Sequence, residues 1–357
     1  MSAPAANAED PLLEADRLLE LRQDDPAWLD LVAAAPCATV FHLPAWTRVV
    51  TDTYGYRAAV FAVQDDRGRL AAGVPIVYAR RLTGRALVSL PFTDHCPPLA
   101  RDEASLARLA AGLASWSRRE GVAVEVRGAV PSVAGWTETA VGVEHILDLE
   151  DGAEARRKHF NETHRRRLRQ AERSGLRARV GCTADDVETF YRLHVQTRCR
   201  QGVPVQPRRF FGAIWQHLIA ARQGVVVLVE TPEGQPVAGA VVLASNGMAI
   251  GKFQASDDAY WELRPNHLCY WAALRWSCET GHRSFSFGRS ETRHAGLQQW
   301  KAGWGGEAVP LKYAVTGSGS SSVEGHGVLD AALSGVIRRS PPLVCRGLGA
   351  LLYRYAA

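Results

Sequence analysis

Apolar and polar positions alternate in two successive runs of helix-period and strand-period segments. In the first run, helices are expected at Pro11–Leu21 and Pro26–Ala35, and from Phe41-His42-Leu43-Pro44-Ala45-Trp46 to Tyr54. Strands are expected at Ala58–Gln64, Leu70–Tyr78 and Ala86–Leu90, with Asp65-Asp66-Arg67-Gly68 as a hairpin turn. Pro91 to Pro98 reads as a rigid loop, Glu103–Arg119 as a helix and Val122–Val126 as a buried strand. The second run opens with a helix at Asn161–Arg173, N-capped by Asn161 and ended by Ser174-Gly175. Helices at Asp185–Arg198 and Pro207–Arg222 flank the break Gly202-Val203-Pro204. Strands follow at Val225–Glu230, Val237–Ser245 and Met248–Ala255, the last two joined by the tight turn Asn246-Gly247. A Pro265–Thr280 helix, a Ser284–Phe287 strand, a short helix around Leu297–Lys301 and a Leu311–Val315 strand complete it.

The two runs share a plan. Trp116-Ser117, Gly121 and Gly128 match Trp276-Ser277, Gly281 and Gly288 at one constant offset, each set reading helix, glycine turn, strand, glycine. This points to an internal duplication. A length of 357 residues suits two domains. The division expected is 1–150, 151–316, and a linker with a helical tail at 317–357. Residues 317–324 read as a Gly/Ser linker. The tail from Val328 to Tyr355 is basic and apolar, broken at Pro341-Pro342, and either packs back on the first domain or touches a membrane surface.

Composition narrows the function classes. A net charge of +5 is too small for a general polyanion binder. Between Arg156 and Arg179, however, basic residues far outnumber Glu162 and Glu172, so residues 156–179 invite a phosphate-bearing partner such as RNA. Seven scattered cysteines without C-x-x-C argue against a disulfide framework and a zinc site. The N-terminus lacks the features of a signal peptide, and no apolar run reaches the roughly 20 residues of a membrane span. A cytoplasmic enzyme with no metal or resident cofactor is expected. There is no P-loop, nucleophile elbow or H-E-x-x-H.

Candidate chemistry concentrates between Lys252 and Trp304. This stretch combines a strand (Lys252-Phe253-Gln254-Ala255-Ser256), a helix start (Pro265-Asn266), a strand end (Phe287-Gly288-Arg289-Ser290) and Lys301 between Trp300 and Trp304. Such a set suits an anionic acyl donor and the oxyanion of acyl transfer. Lys301 is the first candidate for that charge. Arg289 either holds a phosphate or carboxylate at a strand end or closes its loop on Glu291 or Glu307. Asn266 caps its helix or faces an anion there, and Lys252 and Ser290 join the substrate-binding set. Asp94 and His95 orient an incoming amine, or merely stabilise their loop. Arg165, Arg169 and Arg173 share a helix face that either binds phosphates of a tRNA acceptor stem or nucleotide-linked sugar, or is simply solvated. Trp46, placed near the first domain's surface, is expected to line the same groove.

From Phe41 to about Val315 the chain resembles FemAB-type acyltransferases. The resemblance rests on Phe41-His42-x-Pro44-x-Trp46, Ser89-Leu90-Pro91-Phe92-x-Asp94, and Asn161 with the basic run Arg165 to Glu172. It continues through Phe190-Tyr191-Arg192-Leu193 to Pro204, then Pro265-Asn266, Phe287-Gly288-Arg289-Ser290 and the Lys301 cluster. It implies an α/β protein of two tandem GNAT-like (acyl-CoA N-acyltransferase-like) domains, each a mixed, mostly antiparallel sheet flanked by helices. It also implies transfer of an acyl or aminoacyl group to an amine of a cell-envelope, exopolysaccharide or secondary-metabolite precursor. Aminoacyl-tRNA or acyl-CoA would be the donor co-substrate, with Lys301 at the oxyanion and Arg200 as a substrate ligand. Arg81-Leu82-Thr83-Gly84-Arg85-Ala86 fits the R-x-x-G-x-A pattern that holds coenzyme A pyrophosphate in many GNAT enzymes. That loop must open a helix, and here a strand follows, so a hairpin turn is expected and the donor reading leans to aminoacyl-tRNA. The competing class is a non-catalytic module that holds RNA or a nucleotide-sugar polymer on the basic helix.

Overall fold

The computed structural model describes residues 18–81, 84–317 and 334–353. In chain order the strands are β1 (Leu19–Leu21), β2 (Arg57–Gln64), β3 (Leu70–Arg81), β4 (Gly84–Val88), β5 (Leu99–Ala100), β6 (Ala123–Val126) and β7 (Trp136–Asp148). They continue with β8 (Arg177–Gly181), β9 (Gly224–Glu230), β10 (Pro236–Ser245), β11 (Met248–Ser256), β12 (Ser284–Ser290) and β13 (Glu307–Thr316). All belong to one sheet in the order β1-β2-β3-β4-β6-β13-β7-β12-β11-β10-β9-β8, with β5 on β3. The fold is α/β, with helices flanking a mixed, largely antiparallel sheet.

The two halves repeat one pattern. β2-β3-β4 is an antiparallel meander, and β4 then runs parallel to β6 across the helix Glu103–Glu120. β9-β10-β11 is the same meander, and β11 runs parallel to β12 across the helix Pro265–Glu279. Two parallel strands need such a crossover. The glycines of the sequence match have corresponding places: Gly121 and Gly281 end the crossover helices at φ +65° and +80°, where a side chain would be strained. Between the halves, the long strand β7 pairs with β12 on one side and β13 on the other. The end of β13 pairs with β6, so a strand late in the chain completes the first half's sheet.

Several expectations on local structure change. Leu19–Leu21, expected to end a helix, is a strand paired with Val60–Ala62, and the rest of that expected helix up to residue 17 lies outside the described residues. The helix from Pro207 runs only over Arg208–Ile214 before loosening into a π turn at Trp215–Ile219. β4 stops at Val88, because Ser89 and Leu90 leave the sheet and Leu90 takes φ +56°. β7 and β8 were not expected at all. The expected Arg81–Ala86 hairpin is present as the antiparallel pairs Arg81↔Gly84, Arg80↔Arg85 and Ala79↔Ala86. The 317–324 linker falls almost wholly outside the described residues, while Pro342–Leu352 forms a helix.

One hydrophobic cluster crosses between the halves. It joins Phe41, Trp46, Val50 and Val88 of the first to Phe190, Phe210, Leu228 and Ile250 of the second. The loop 89–98 of the first half is thereby pressed against β11 and β12 of the second, and that contact makes the site.

Candidate active site

β11 and β12 pair only at Met248↔Ser284, Ala249↔Phe285 and Ile250↔Ser286. Beyond Ile250 and Ser286 they part. β11 carries Lys252 along one arm of the fork, and β12 carries Gly288, Arg289 and Ser290 along the other. Asp94, from the loop of the first half, enters the opening. Its Oδ2 lies 3.0 Å from Lys252 Nζ, with the lysine side chain 5% and the aspartate 21% exposed. The ammonium also sits over the rings of Phe41 (5.2 Å), Phe253 (5.6 Å) and Trp46 (5.9 Å), which favours a cation taken out of water. Gly288, at φ +68°, lets Asp94 approach: a Cβ there would lie 3.2 Å from Asp94 Oδ2.

Lys301 stands at the base of the fork. The helix Ala295–Ala302 points it inward, and Nζ donates to the carbonyls of Gly288 (2.7 Å) and Arg289 (3.1 Å). An ammonium has three N–H groups, so one remains for a ligand. Burial brings its pKa down to about 8, opposed by Asp94 and Glu144. It is therefore still mostly charged at neutral pH. Burial alone would raise the Asp94 carboxyl, but Lys252, with Arg289 and Lys301 behind it, holds it below its ordinary value. Burial lowers Lys252 against the pull of Asp94.

A third layer closes the fork. Glu144 of β7 is buried and accepts a hydrogen bond from Ser286 Oγ, which in turn accepts from the Gly288 N–H at 3.0 Å. Burial raises the Glu144 carboxyl. Tyr313 donates to the Asp94 carbonyl at 2.9 Å and lies under two guanidinium groups, Arg127 at 5.5 Å and Arg289 at 5.9 Å. Arg127 itself donates to the Thr93 carbonyl at 2.9 Å. Arg289 Nη2 lies 3.7 Å from Glu291 Oε1, the loop closure the sequence allowed, while Arg289 Nη1 and the Oγ of the buried Ser290 are buried without a hydrogen-bond partner.

Asp94, Lys252, Arg289 and Lys301 thus come together: Lys252 pairs with Asp94, Gly288 lies against Asp94, and Lys301 holds the carbonyls of Gly288 and Arg289. Trp46 differs from expectation: it is fully buried and donates from Nε1 to Thr93 Oγ1 at 2.9 Å. It is a wall behind Lys252 and the loop, because the seam between the halves covers it. Arg200 and Asn266 form a separate group around Ser256, at the far end of β11. Arg200 Nη1 donates to the Ser256 carbonyl (3.1 Å) and pairs with Asp258 (3.0 Å), while Asn266 Nδ2 reaches Ser256 Oγ at 3.3 Å. At about 3.3 Å per residue, four strand residues set this group roughly 13 Å from Lys252. Asn266 is not the cap of its helix; Arg264, at φ +61°, holds that position. Arg169 is exposed and Arg165 donates to the Lys158 carbonyl at 3.4 Å, both on the outer face of the helix Glu162–Arg173. Four residues of the fork were missed in sequence: Arg127, Glu144, Ser286 and Tyr313. Only Arg127 carried a signal, standing immediately before Gly128, the counterpart of Gly288.

Residues 157–302 match the family model described as an acetyltransferase (GNAT) domain. Lys252, Ser286, Gly288, Arg289, Ser290 and Lys301 of the fork lie inside that match, and Asp94, Arg127, Glu144 and Tyr313 outside it. No curated protein matches the chain in sequence. Among solved structures the chain is similar to FemX, at 14% identity and TM-score 0.64 over 84% of this chain and 96% of that one. It is also similar to L-PGS from Bacillus licheniformis, at 14% identity and TM-score 0.54 over 91% and 100% of the two chains. A tandem GNAT protein from the clavulanic acid biosynthesis pathway aligns at 13% identity and TM-score 0.51 over 85% and 99%. Residues 157–302 thus match a GNAT domain, and over most of its length the chain shares the fold of FemX and of the tandem GNAT protein from the clavulanic acid pathway.

Proposed function

We propose that this chain is an N-acyltransferase that passes an acyl or aminoacyl group to an amine of a cell-envelope, exopolysaccharide or secondary-metabolite precursor. The observation that carries the reading is the fork: three cationic side chains of the matched GNAT domain (Lys252, Lys301 and Arg289) gather around Asp94, which enters from the first half. Attack of a neutral amine on the donor carbonyl forms the C–N bond and an oxyanion. The N–H of Lys301 not taken by the two carbonyls would receive that oxyanion, in a buried site where such a donor is worth most. Collapse breaks the ester C–O or thioester C–S bond, and the leaving oxygen or sulfur takes up the proton that the amine releases. Asp94, kept ionised by Lys252, places the amine. Arg289 and Ser290 hold an anionic group of donor or acceptor.

For the donor we favour an aminoacyl ester over acyl-CoA. The segment between β11 and the helix Pro265–Glu279 would carry a pyrophosphate cradle in a coenzyme A enzyme. Here it has Asp257, Asp258 and Glu262 and no glycine. Without a glycine the backbone there cannot wrap closely around a diphosphate, and Asp257 and Glu262 add negative charge beside Arg264 and the Arg200–Asp258 pair.

The test is a titration of the purified protein with charged tRNA, uncharged tRNA and acetyl-CoA at fixed moderate salt. Preference for charged tRNA is the expected result. Preference for acetyl-CoA would replace the donor assignment. Absence of binding to all three would count against acyl transfer from either source.

A further inference from the structure

Outside the fork, the most unusual surface is the C-terminal helix. Its inner face is anchored to the body. Gly349 packs so close to Val205 that a Cβ would collide with the Val205 carbonyl, and Cys345 is fully buried. Tyr353 receives a hydrogen bond from Arg198 at 2.9 Å and meets the Phe92 ring at 5.5 Å. The outer face is different. Among the described residues, the three most exposed large apolar side chains are Leu343 (75%), Leu351 (62%) and Val336 (55%), and Val344 lies beside them. Leu343, Gly347, Ala350 and Leu351 fall at i, i+4, i+7 and i+8, so they form one stripe that no polar side chain interrupts.

Arginines rim this stripe. Arg338, Arg339, Arg208 and Arg209 are exposed, Arg338 donating to the Gln201 carbonyl at 3.3 Å. Arg208, Arg209 and Pro207 line an open groove of about 530 Å³ with Ala350 and Leu351. Arg208 is paired with Glu188 at 2.6 Å. Residues 334–353 contain no acidic side chain. An apolar stripe framed by exposed guanidinium groups is what an interfacial helix offers to an anionic bilayer.

We propose that the helix Pro342–Leu352, with Val336 and the flanking arginines, docks this protein on an anionic phospholipid surface. Leu343, Val344 and Leu351 enter the headgroup–acyl boundary, and Arg338, Arg339 and Arg209 meet the phosphates. A second copy of this chain fits the same face poorly, because two-fold docking would bring the two basic rims together. This inference stands apart from the fork, so its outcome does not depend on the acyl-transfer reading.

Co-sedimentation of the full chain with lipid vesicles tests it. One set contains phosphatidylcholine alone and the other adds about one-third phosphatidylglycerol. The expected result is pelleting with the anionic set only, weakened by added salt. Arg338→Gln with Arg339→Gln should lower the partition by roughly 25-fold, at about fivefold per arginine. Leu343→Ser with Leu351→Ser should lower it too, with an unchanged melting temperature because both side chains are already in water. Equal behaviour with the two vesicle sets, or no effect of either pair of substitutions, would overturn the proposal. So would a lipid-free dimer, seen by light scattering, that the Leu→Ser pair dissolves.

Discussion

Replacing Lys252 by methionine removes the cation nearest Asp94 and keeps most of the buried volume. The contact is 3.0 Å long, with the lysine 5% and the aspartate 21% exposed. At an effective dielectric constant of about 20, a pair at that distance gains roughly 5 kcal/mol of Coulomb attraction. Desolvation of both ions offsets much of it. The variant, however, leaves Asp94 half-buried and without its main partner, and breaking a buried pair in this way costs about 3–5 kcal/mol. Arg289 and Lys301 also act on Asp94, so a loss of about 2–3 kcal/mol is expected. The double variant Lys252→Met/Asp94→Asn removes the stranded charge and should recover at least half of the loss. The pH dependence has a definite sign. In the wild type the Asp94 pKa is lowered on folding, so its contribution is present above the ordinary value and is lost as pH falls through the folded one. In Lys252→Met that pKa rises, so the deficit shrinks on acidification. Urea unfolding followed by tryptophan fluorescence, at about pH 7 and about pH 5, reads both effects. A single-variant loss below about 0.5 kcal/mol, or strict additivity in the double variant, would refute the reasoning.

Three further outcomes follow from the same geometry. Turnover that needs the Lys301 ammonium should fall as pH rises through about 8, whereas its effect on stability has the opposite sign. The folded state binds fewer protons than the unfolded chain between about 8 and the ordinary 10.5, so that contribution to stability increases over this window; rate and melting profiles against pH check both. Gly288→Ala should cost about 1–2 kcal/mol through its positive φ, and should lower turnover by crowding the Asp94 carboxylate, 3.2 Å from the added Cβ; a melt with an activity assay separates the two. Arg165→Gln with Arg169→Gln should weaken charged-tRNA binding and reduce the salt slope by about 1–2, while an unchanged slope would make this face merely solvated.

The parts of the fold that could be read from the chain were those whose signal is local. The meander β9-β10-β11 declares itself by continuous apolar strands and the Asn246-Gly247 turn, and the crossover helices by their capping glycines. β7 was illegible because its polar residues, among them Glu144 and His145, are buried by partners from β12 and β13 that lie far away in sequence. β1 is three residues long and exists only through its pairing with β2. The fork divides on the same line. Lys301, Arg289 and Lys252 stand in one informative stretch and were named from it. Glu144 and Tyr313 contribute only through β7 and β13, which the topology threads between the halves. Trp46 was expected near the first domain's surface, but residues of the second half, Phe210 among them, cover it.

The account's central claim is that the fork carries acyl transfer. The most direct measurement is single-turnover amide formation, read by mass spectrometry, for wild type and Lys301→Ala with the donor that binds and a panel of primary amines. The prediction is a new amide in the wild type and a loss of about 10²–10³ in rate for the variant, with donor affinity nearly unchanged and the variant still folded. Equal rates in the two proteins would contradict it.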